Sequence, residues 1–153
     1  MAMSRFALDV TRWAESAKGK VDANCRAITL HLFSAIIQST PVDTGRARGN
    51  WQTTVSTPTR LITERLDPSG GNAIAEVFAN AGGAGKITWL SNNLPYIAVL
   101  EYGLYPNPPK HGRLIKGVGY GINTIGGYSR QAPAGMVRIN MARVQEIVRE
   151  AVK

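Results

Sequence analysis

The sequence predicts an α+β fold, in which a long N-terminal helix is followed by an antiparallel sheet of about four strands, a long Gly/Pro loop and a C-terminal helix. Two observations predict this order. Apolar and small residues recur at steps of three and four near both ends of the chain, which is the spacing of a helix with one buried face. Between these regions lie short segments rich in Thr, Val and Trp, separated by Pro and Gly turns.

The chain of 153 residues has the length of one domain, and we expect a single domain over residues 1–153. Its composition, 44% apolar and 18% charged, favours a folded core over intrinsic disorder. No apolar run approaches the roughly 20 residues that span a bilayer, and charges at Arg5, Asp9 and Arg12 argue against a signal peptide. Cys25 has no second cysteine to pair with. We therefore expect folding in the cytoplasm, without membrane contact.

The first helix is predicted over residues 5–38, because one face carries an apolar or small stripe. Its members are Phe6, Val10, Trp13, Ala17, Val21, Cys25, Ile28, Leu32, Ala35 and Ser39. Thr40-Pro41 ends the helix, since the residue before a proline is disfavoured in the α region. Such a helix extends roughly 50 Å, whereas a compact domain of this size is about 40 Å across. Either the helix breaks at Lys18-Gly19-Lys20, or its overhang packs on a neighbouring subunit.

An antiparallel sheet is predicted over residues 50–92, because the connections are too short for parallel crossovers. Its predicted strands are 51–57, 60–66, 73–79 and 86–91. Residues 103–132 contain many glycines and prolines and are predicted to form a long loop, which needs either mobility or an external surface to pack on. Pro133 is expected in the first turn of a final helix over residues 133–152.

The net charge is +8, and no acidic residue lies between Glu101 and Glu146. A positive segment of this kind favours phosphate or acidic protein surfaces, and its effect weakens as salt rises. The alternative is a basic surface that has no partner. Four residues of the segment are predicted as contacts to DNA or to a partner protein: Lys110, Arg113, Lys116 and Arg130.

Motifs of catalysis and cofactor binding are incomplete. Around Gly82-Gly83-Ala84-Gly85-Lys86, a phosphate-binding loop would need glycine where Asn80 stands and a hydroxyl where Ile87 stands. The glycines at 117, 119 and 121 lack the further glycine of a dinucleotide site. Neither His31 nor His111 has a recognisable acid and nucleophile beside it. We therefore expect no enzymatic activity, no metal and no cofactor.

Two segments resemble a known family. Residues 39–51, STPVDTGRARGNW, resemble the TPVDTG signature of the small neck and tail-completion proteins of long-tailed bacteriophages. Residues 95–103, PYIAVLEYG, are similar to the PYA…lEyG element of the same family, and Ala132-Pro133-Ala134 matches its C-terminal pattern. The order of these segments also fits, so the resemblance covers most of the chain.

The motifs have a structural interpretation of their own. Thr40-Pro41 predicts an extended exit from the helix, Asp43 can accept backbone N–H groups in an Asx-turn, and Gly45 permits a positive φ. This corner is defined by Pro41, Asp43, Thr44, Gly45 and Arg46, and the second motif by Tyr96, Glu101, Tyr102 and Gly103. We expect the second motif to pack beside the corner, with Glu101 bonded to Arg46 or Arg48.

The resemblance implies a virion protein, assembled in the host cytoplasm, whose copies form a ring in the neck, with a hexamer expected. The implied partners are the head-closure or connector protein and the tail tube or tail terminator protein. DNA would pass through the channel and make only sequence-independent contacts. Tail completion, tail termination and head closure share this size and architecture, so they remain alternatives.

The competing hypothesis is a sequence-independent nucleic-acid-binding module. It is favoured by charge alone, because Trp13, Trp51 and Trp89 are not interleaved with basic residues as a stacking platform requires.

Overall fold

A computed structural model of the chain describes residues 5–109, 113–115, 119–121 and 123–153. It is a mixture of helices and short antiparallel sheets. The helices are α1 (Arg5–Ser39), α2 (Arg46–Gly49), α3 (Gly71–Asn80), α4 (Ile97–Tyr102), α5 (Val137–Ala142) and α6 (Val144–Ala151). The strands are β1 (Gln52–Val55), β2 (Thr88–Ser91), β3 (Arg113–Ile115), β4 (Gly119–Gly121), β5 (Thr124–Ile125) and β6 (Tyr128–Ser129).

The long N-terminal helix is confirmed, and it ends at Ser39, directly before Thr40-Pro41. It runs through Gly19 without a break, so the alternative of a break at that glycine is wrong. Only its C-terminal end enters the core, where Ile36 and Ile37 are buried. Near the other end, Phe6 is 78% exposed and Trp13 is 73% exposed. The first half of α1, residues 5–21, therefore carries an apolar stripe that the other described residues leave exposed.

The glycine-rich turn after α3 holds α1 at the point where this free half begins. The Asp22 carboxylate accepts a hydrogen bond from the Ala84 N–H at 3.0 Å, and the Arg26 guanidinium donates to the Ala81 carbonyl at 2.8 Å. A Cβ on Gly83 would overlap the Asp22 carboxylate. Glycine in this segment is therefore needed for the close approach of α1, which is a packing role unrelated to phosphate.

The predicted four-stranded sheet is not confirmed. The strands of the structure form three separate two-stranded antiparallel sheets, β1 with β2, β3 with β4, and β5 with β6. β1 pairs with β2 in the register Gln52↔Ser91 to Val55↔Thr88. These two strands correspond to the predicted strands 51–57 and 86–91, each shortened. Such a small sheet cannot hold the domain together, so the helices carry most of the packing.

The predicted strand 73–79 is wrong, because these residues lie in α3. Ala73 and Val77 are its buried residues, and their spacing of four places both on one face of a helix. The Asp67 carboxylate accepts the Ala73 N–H at 3.0 Å, and the Ser69 hydroxyl accepts the Gly71 N–H at 3.1 Å. Residues 67–71 predict a turn by their Pro and Gly, but the Asp and Ser among them also cap the start of a helix.

The predicted strand 60–66 is extended but joins no sheet. The chain from 58 to 67 has neither a turn nor a bend. Side-chain amides hold it in place: Asn50 exchanges two hydrogen bonds with the Thr63 backbone, at 2.8 and 3.0 Å, and the Gln52 amide donates to the Leu61 carbonyl at 2.8 Å. Backbone-to-side-chain bonds thus replace the backbone ladder that the strand pattern predicts.

The C-terminal third also departs from the prediction. The segment 103–132 is not without structure, because it contains the hairpins β3–β4 and β5–β6. The predicted helix 133–152 is divided into α5 and α6 at Arg143. Pro133 does not lie in the first turn of a helix, since α5 begins at Val137.

One cluster of buried side chains joins these elements. It consists of Ile36, Ile37, Ala47, Trp51, Ala73, Val77, Leu94, Leu100, Ala132 and Met136. Residues from both motif segments and from the start of the C-terminal region therefore share a core. Among the described residues, no helix has the length and apolarity needed to cross a membrane.

We expect Gly19→Ala to stabilise the free half of α1. A Cβ at Gly19 meets nothing within 4 Å, and alanine in a helix interior is favoured over glycine by up to about 1 kcal/mol. Amide exchange of residues 6–20 should slow, and helical circular dichroism should persist to higher temperature. Gly85→Ala is the matched control, because it also meets no neighbour but has a φ of +75°, so it should destabilise. Unchanged exchange in Gly19→Ala would contradict a continuous helix.

Candidate functional site

The first motif forms the corner between α1 and β1. Thr40 is fully buried at the end of α1, and its hydroxyl accepts the Trp51 indole N–H at 2.7 Å while donating to the Ile36 carbonyl at 2.9 Å. Gly45 has a φ of +86°, and a Cβ there would overlap Pro68. The positive φ expected at this glycine is present, although α2 intervenes before the strand begins.

Arg48 holds the corner closed. Its guanidinium donates to the carbonyl of Thr40 at 2.8 Å, that of Gln38 at 2.9 Å and that of Pro68 at 2.7 Å. The Gln38 carbonyl belongs to the last turn of α1 and the Thr40 carbonyl follows directly after it, where the helix has no further N–H group to bond them. The sequence predicts Arg48 only as an alternative partner for Glu101. The structure assigns it to the backbone instead, a role that the planar fork of an arginine suits.

Glu101 is the centre of the second motif. Its carboxyl group is buried, with the residue 7% exposed. One oxygen accepts the N–H groups of Met136 at 2.7 Å and Val137 at 2.8 Å. The other accepts the Arg138 N–H at 3.0 Å and its guanidinium at 3.1 Å. Glu101 therefore caps the N-terminus of α5 from another part of the chain, where the orphan N–H groups of a helix attract negative charge.

This arrangement corrects the expected pairing of Glu101 with Arg46 or Arg48. Arg46 instead lies 3.5 Å from the exposed Glu64. The sequence offers a partial signal for the true partner, because Arg138 lies near the predicted start of the last helix and no other acid lies nearby to pair with it. It does not show which arginine of the chain bonds to Glu101.

Burial raises the pKa of Glu101. The N–H groups of Val137, Arg138 and Met136, together with the Arg138 guanidinium, outweigh that effect and hold the pKa below its ordinary value. The carboxylate is therefore ionised and occupied by donors.

Tyr102 and Gly103 complete the second motif. The Arg138 guanidinium lies 4.9 Å from the centre of the Tyr102 ring, within the range of a cation–π contact. Gly103 has a φ of +65°, and a Cβ there would overlap the Tyr128 ring. The second motif thus joins α4, the β5–β6 hairpin and the start of α5.

A half-open cavity of about 790 Å³ lies where the two motifs meet. One wall comes from the corner, the floor from the second motif and Tyr105, and the other wall from the β5–β6 region. Its lining residues are Pro41, Val42, Asp43, Thr44, Arg46, Ala47, Tyr96, Leu100, Tyr105, Asn123, Thr124, Ser129, Arg130 and Gln131. The Gln131 amide bonds both the N–H and the carbonyl of Val42, at 2.8 and 2.9 Å, and so links the two walls.

Two of the four predicted basic contacts, Arg113 and Arg130, lie within the described residues. Arg130 is exposed and lines the cavity, and Arg113 begins β3. Lys110, Lys116 and His111 lie outside the described residues. His31 is exposed on α1, and the described part of the chain contains no group of acids, histidines or cysteines that could hold a metal.

Comparison of the chain with family models, with curated proteins and with solved structures found no match in any of the three searches. The geometry itself indicates a joint between segments. Glu101, the buried member of the second motif, bonds to the chain's own backbone. Four exposed motif residues line the open cavity together with Arg130: Asp43, Thr44, Arg46 and Tyr96.

We expect Glu101→Gln to lower the free energy of unfolding by about 1.5–3 kcal/mol, because hydrogen bonds to a charged group contribute that much. Glu146→Gln is the control, since Glu146 forms an exposed pair with Arg143 at 3.1 Å.

The depressed pKa of Glu101 also sets a pH dependence. Its stabilisation is present above the unfolded-state pKa and is lost as pH falls through the folded value. Denaturant titrations should therefore show a steeper loss of stability below pH 4.5 in the native chain than in Glu101→Gln. Equal losses of stability in Glu101→Gln and Glu146→Gln would contradict the capping role of Glu101.

Proposed function

We propose that this chain is a structural virion protein of the phage neck, whose copies form a ring that completes or terminates the tail and joins it to the head. The proposal is supported by the resemblance of the two motif segments to neck and tail-completion proteins. Both segments also line one cavity, which supports their action as a single structural unit. The observation that carries the assembly role is the free half of α1.

The free half of α1 exposes more apolar surface than a lone subunit needs. Phe6, Val10 and Trp13 follow one another at steps of four and three, so they share one face of the helix. Aromatic side chains of this size bury about 150–250 Å² each when they are covered. Contiguous exposed apolar patches of several hundred Å² mark interaction sites.

A neighbouring copy is the partner that a ring provides. Residues 5–21 of α1 extend about 25 Å beyond Asp22, where the turn after α3 binds the helix. In a ring built from head-to-tail contacts, each subunit offers one surface to the copy before it and a different surface to the copy after it. The stripe of α1 would lie on the body of the next subunit, and a hexamer is the expected closed form. The head-closure or connector protein and the tail tube or tail terminator protein would cover the two faces of the ring.

A catalytic role has less support in this geometry. The four donors around Glu101 leave it no free proton site. The Trp51 ring is buried and its N–H is bonded to Thr40, so it cannot stack on a nucleotide base.

We expect Trp13→Asp to abolish the function without unfolding the subunit. In a phage that encodes this chain, loss of the gene should leave separate filled heads and finished tails in electron micrographs. A plasmid copy of the native chain should restore joined particles, whereas Trp13→Asp should not, because a charge would replace the exposed aromatic ring of the stripe. Both proteins should melt at the same temperature.

Leu8→Asp is the matched control, since Leu8 lies two residues from Phe6 and therefore on the opposite face of the helix. It should restore joined particles. Normal particles in the absence of the gene would refute the neck role, and full rescue by Trp13→Asp would refute the role of the stripe.

A further inference from the structure

The extended segment 59–67 uses only one of its two edges. In an extended chain, the N–H and C=O of one residue point to one side and those of the next residue to the other. The backbone groups of the odd-numbered residues face the rest of the subunit. The Thr59, Leu61 and Thr63 carbonyls accept hydrogen bonds from side-chain amides, and the Asp67 N–H donates to the Gly45 carbonyl at 3.1 Å.

The backbone groups of the even-numbered residues face away from the rest of the subunit. Within the described chain, no hydrogen bond involves the backbone N–H or C=O of Arg60, Ile62 or Glu64. These residues are exposed, and so are Leu61 at 70% and Leu66 at 60%. The segment is thus an open strand edge, which pairs readily with another extended chain.

We propose that this edge pairs antiparallel with the same edge of a second copy of the chain, about a twofold axis at Ile62. The outward groups of both copies must face each other, which requires an even-numbered residue to stand opposite another even-numbered residue. With Ile62 opposite Ile62 of the other copy, Arg60 stands opposite Glu64 and Glu64 opposite Arg60. Each of these pairs exchanges two backbone hydrogen bonds.

Charge selects this register over its neighbours. A shift of one pair in either direction places Arg60 or Glu64 opposite an apolar residue or Pro58, and a shift of two pairs places two arginines or two glutamates opposite each other. Directly opposed charges of unlike sign stabilise a strand pair, and like charges destabilise it. Ile62 would meet its own counterpart between the two ion pairs, on the face that all three side chains share.

This contact is separate from the ring proposed above and does not depend on it. A twofold contact uses the same patch on both subunits, so it cannot by itself close a ring whose two faces differ. We assign it to the subunit in solution, where pairing covers an edge that would otherwise be open to other chains.

Sedimentation equilibrium of the full chain should show a reversible dimer. Amide exchange measured at rising protein concentration should slow at Arg60, Ile62 and Glu64. It should not change at Leu61 and Thr63, whose N–H groups are already bonded to Thr59 and Asn50. A mere local stiffening of the segment would slow all five together, and a monomer at every concentration would overturn the proposal.

A charge exchange tests the register. Arg60→Glu should raise the dimer dissociation constant roughly tenfold, because two attractive pairs become two repulsive ones. Glu64→Arg should do the same, although it also removes the contact with Arg46. The double variant Arg60→Glu/Glu64→Arg should restore pairing close to the native constant, since each charge again meets its opposite.

Arg149→Glu on α6 makes the same charge change away from the edge and should leave the constant unchanged. Trp13→Asp should also leave it unchanged, which separates this contact from the one proposed for α1. Failure of the double variant to recover the loss caused by the single ones would overturn this pairing and leave the neck proposal untouched.

Discussion

Side chains, more than sheet ladders, satisfy the backbone polar groups between α1 and α5. A buried N–H or C=O without a partner costs as much as a lost hydrogen bond, so every irregular segment inside a domain needs another source of donors and acceptors. Here Arg48 serves the end of α1, Asn50 and Gln52 serve the extended segment, and Glu101 serves the start of α5. The fold depends on these long-range bonds because each sheet in the described part of the chain has only two strands.

This constraint gives a physical meaning to the two motifs. Thr40, Gly45 and Arg48 hold the end of α1 against the segment that leads into α3. Glu101 and Gly103 hold the C-terminal region against α4. Arginine and glutamate in such places are buried or half-buried side chains that reach a backbone, and a lysine or an aspartate would not match their reach and geometry. The motifs therefore specify the joint between the two halves of the chain.

The same constraint separates what the sequence predicts from what it does not. The end of α1 is predicted correctly, because Thr40-Pro41 acts on its own neighbours. The strand expected at 73–79 is a helix. Ala73 and Val77 lie on one side of the expected strand, but they are also four residues apart and so share one face of a helix. The caps from Asp67 and Ser69 favour the helix over the strand. The partner of Glu101 lies 37 residues away in sequence, and nothing local distinguishes Arg138 from Arg46. The prediction thus fails where side-chain bonds to the backbone decide the structure, whether they come from a nearby cap or from a distant residue.

In the described part of the chain, the stripe of α1 and the outward edge of 59–67 lie outside this internal arrangement, and they differ in kind. The stripe of α1 is apolar surface, which requires only that water be excluded, so many surfaces of suitable shape would cover it. The outward edge of 59–67 consists of directional N–H and C=O groups, which require another extended backbone in a defined register. A contact through the stripe would tolerate repacking between different partners, whereas a contact through the edge would be either formed or absent. The first would suit the proposed ring, in which the helix adapts to its neighbours, and the second would suit the proposed dimer, which forms or dissociates as a unit.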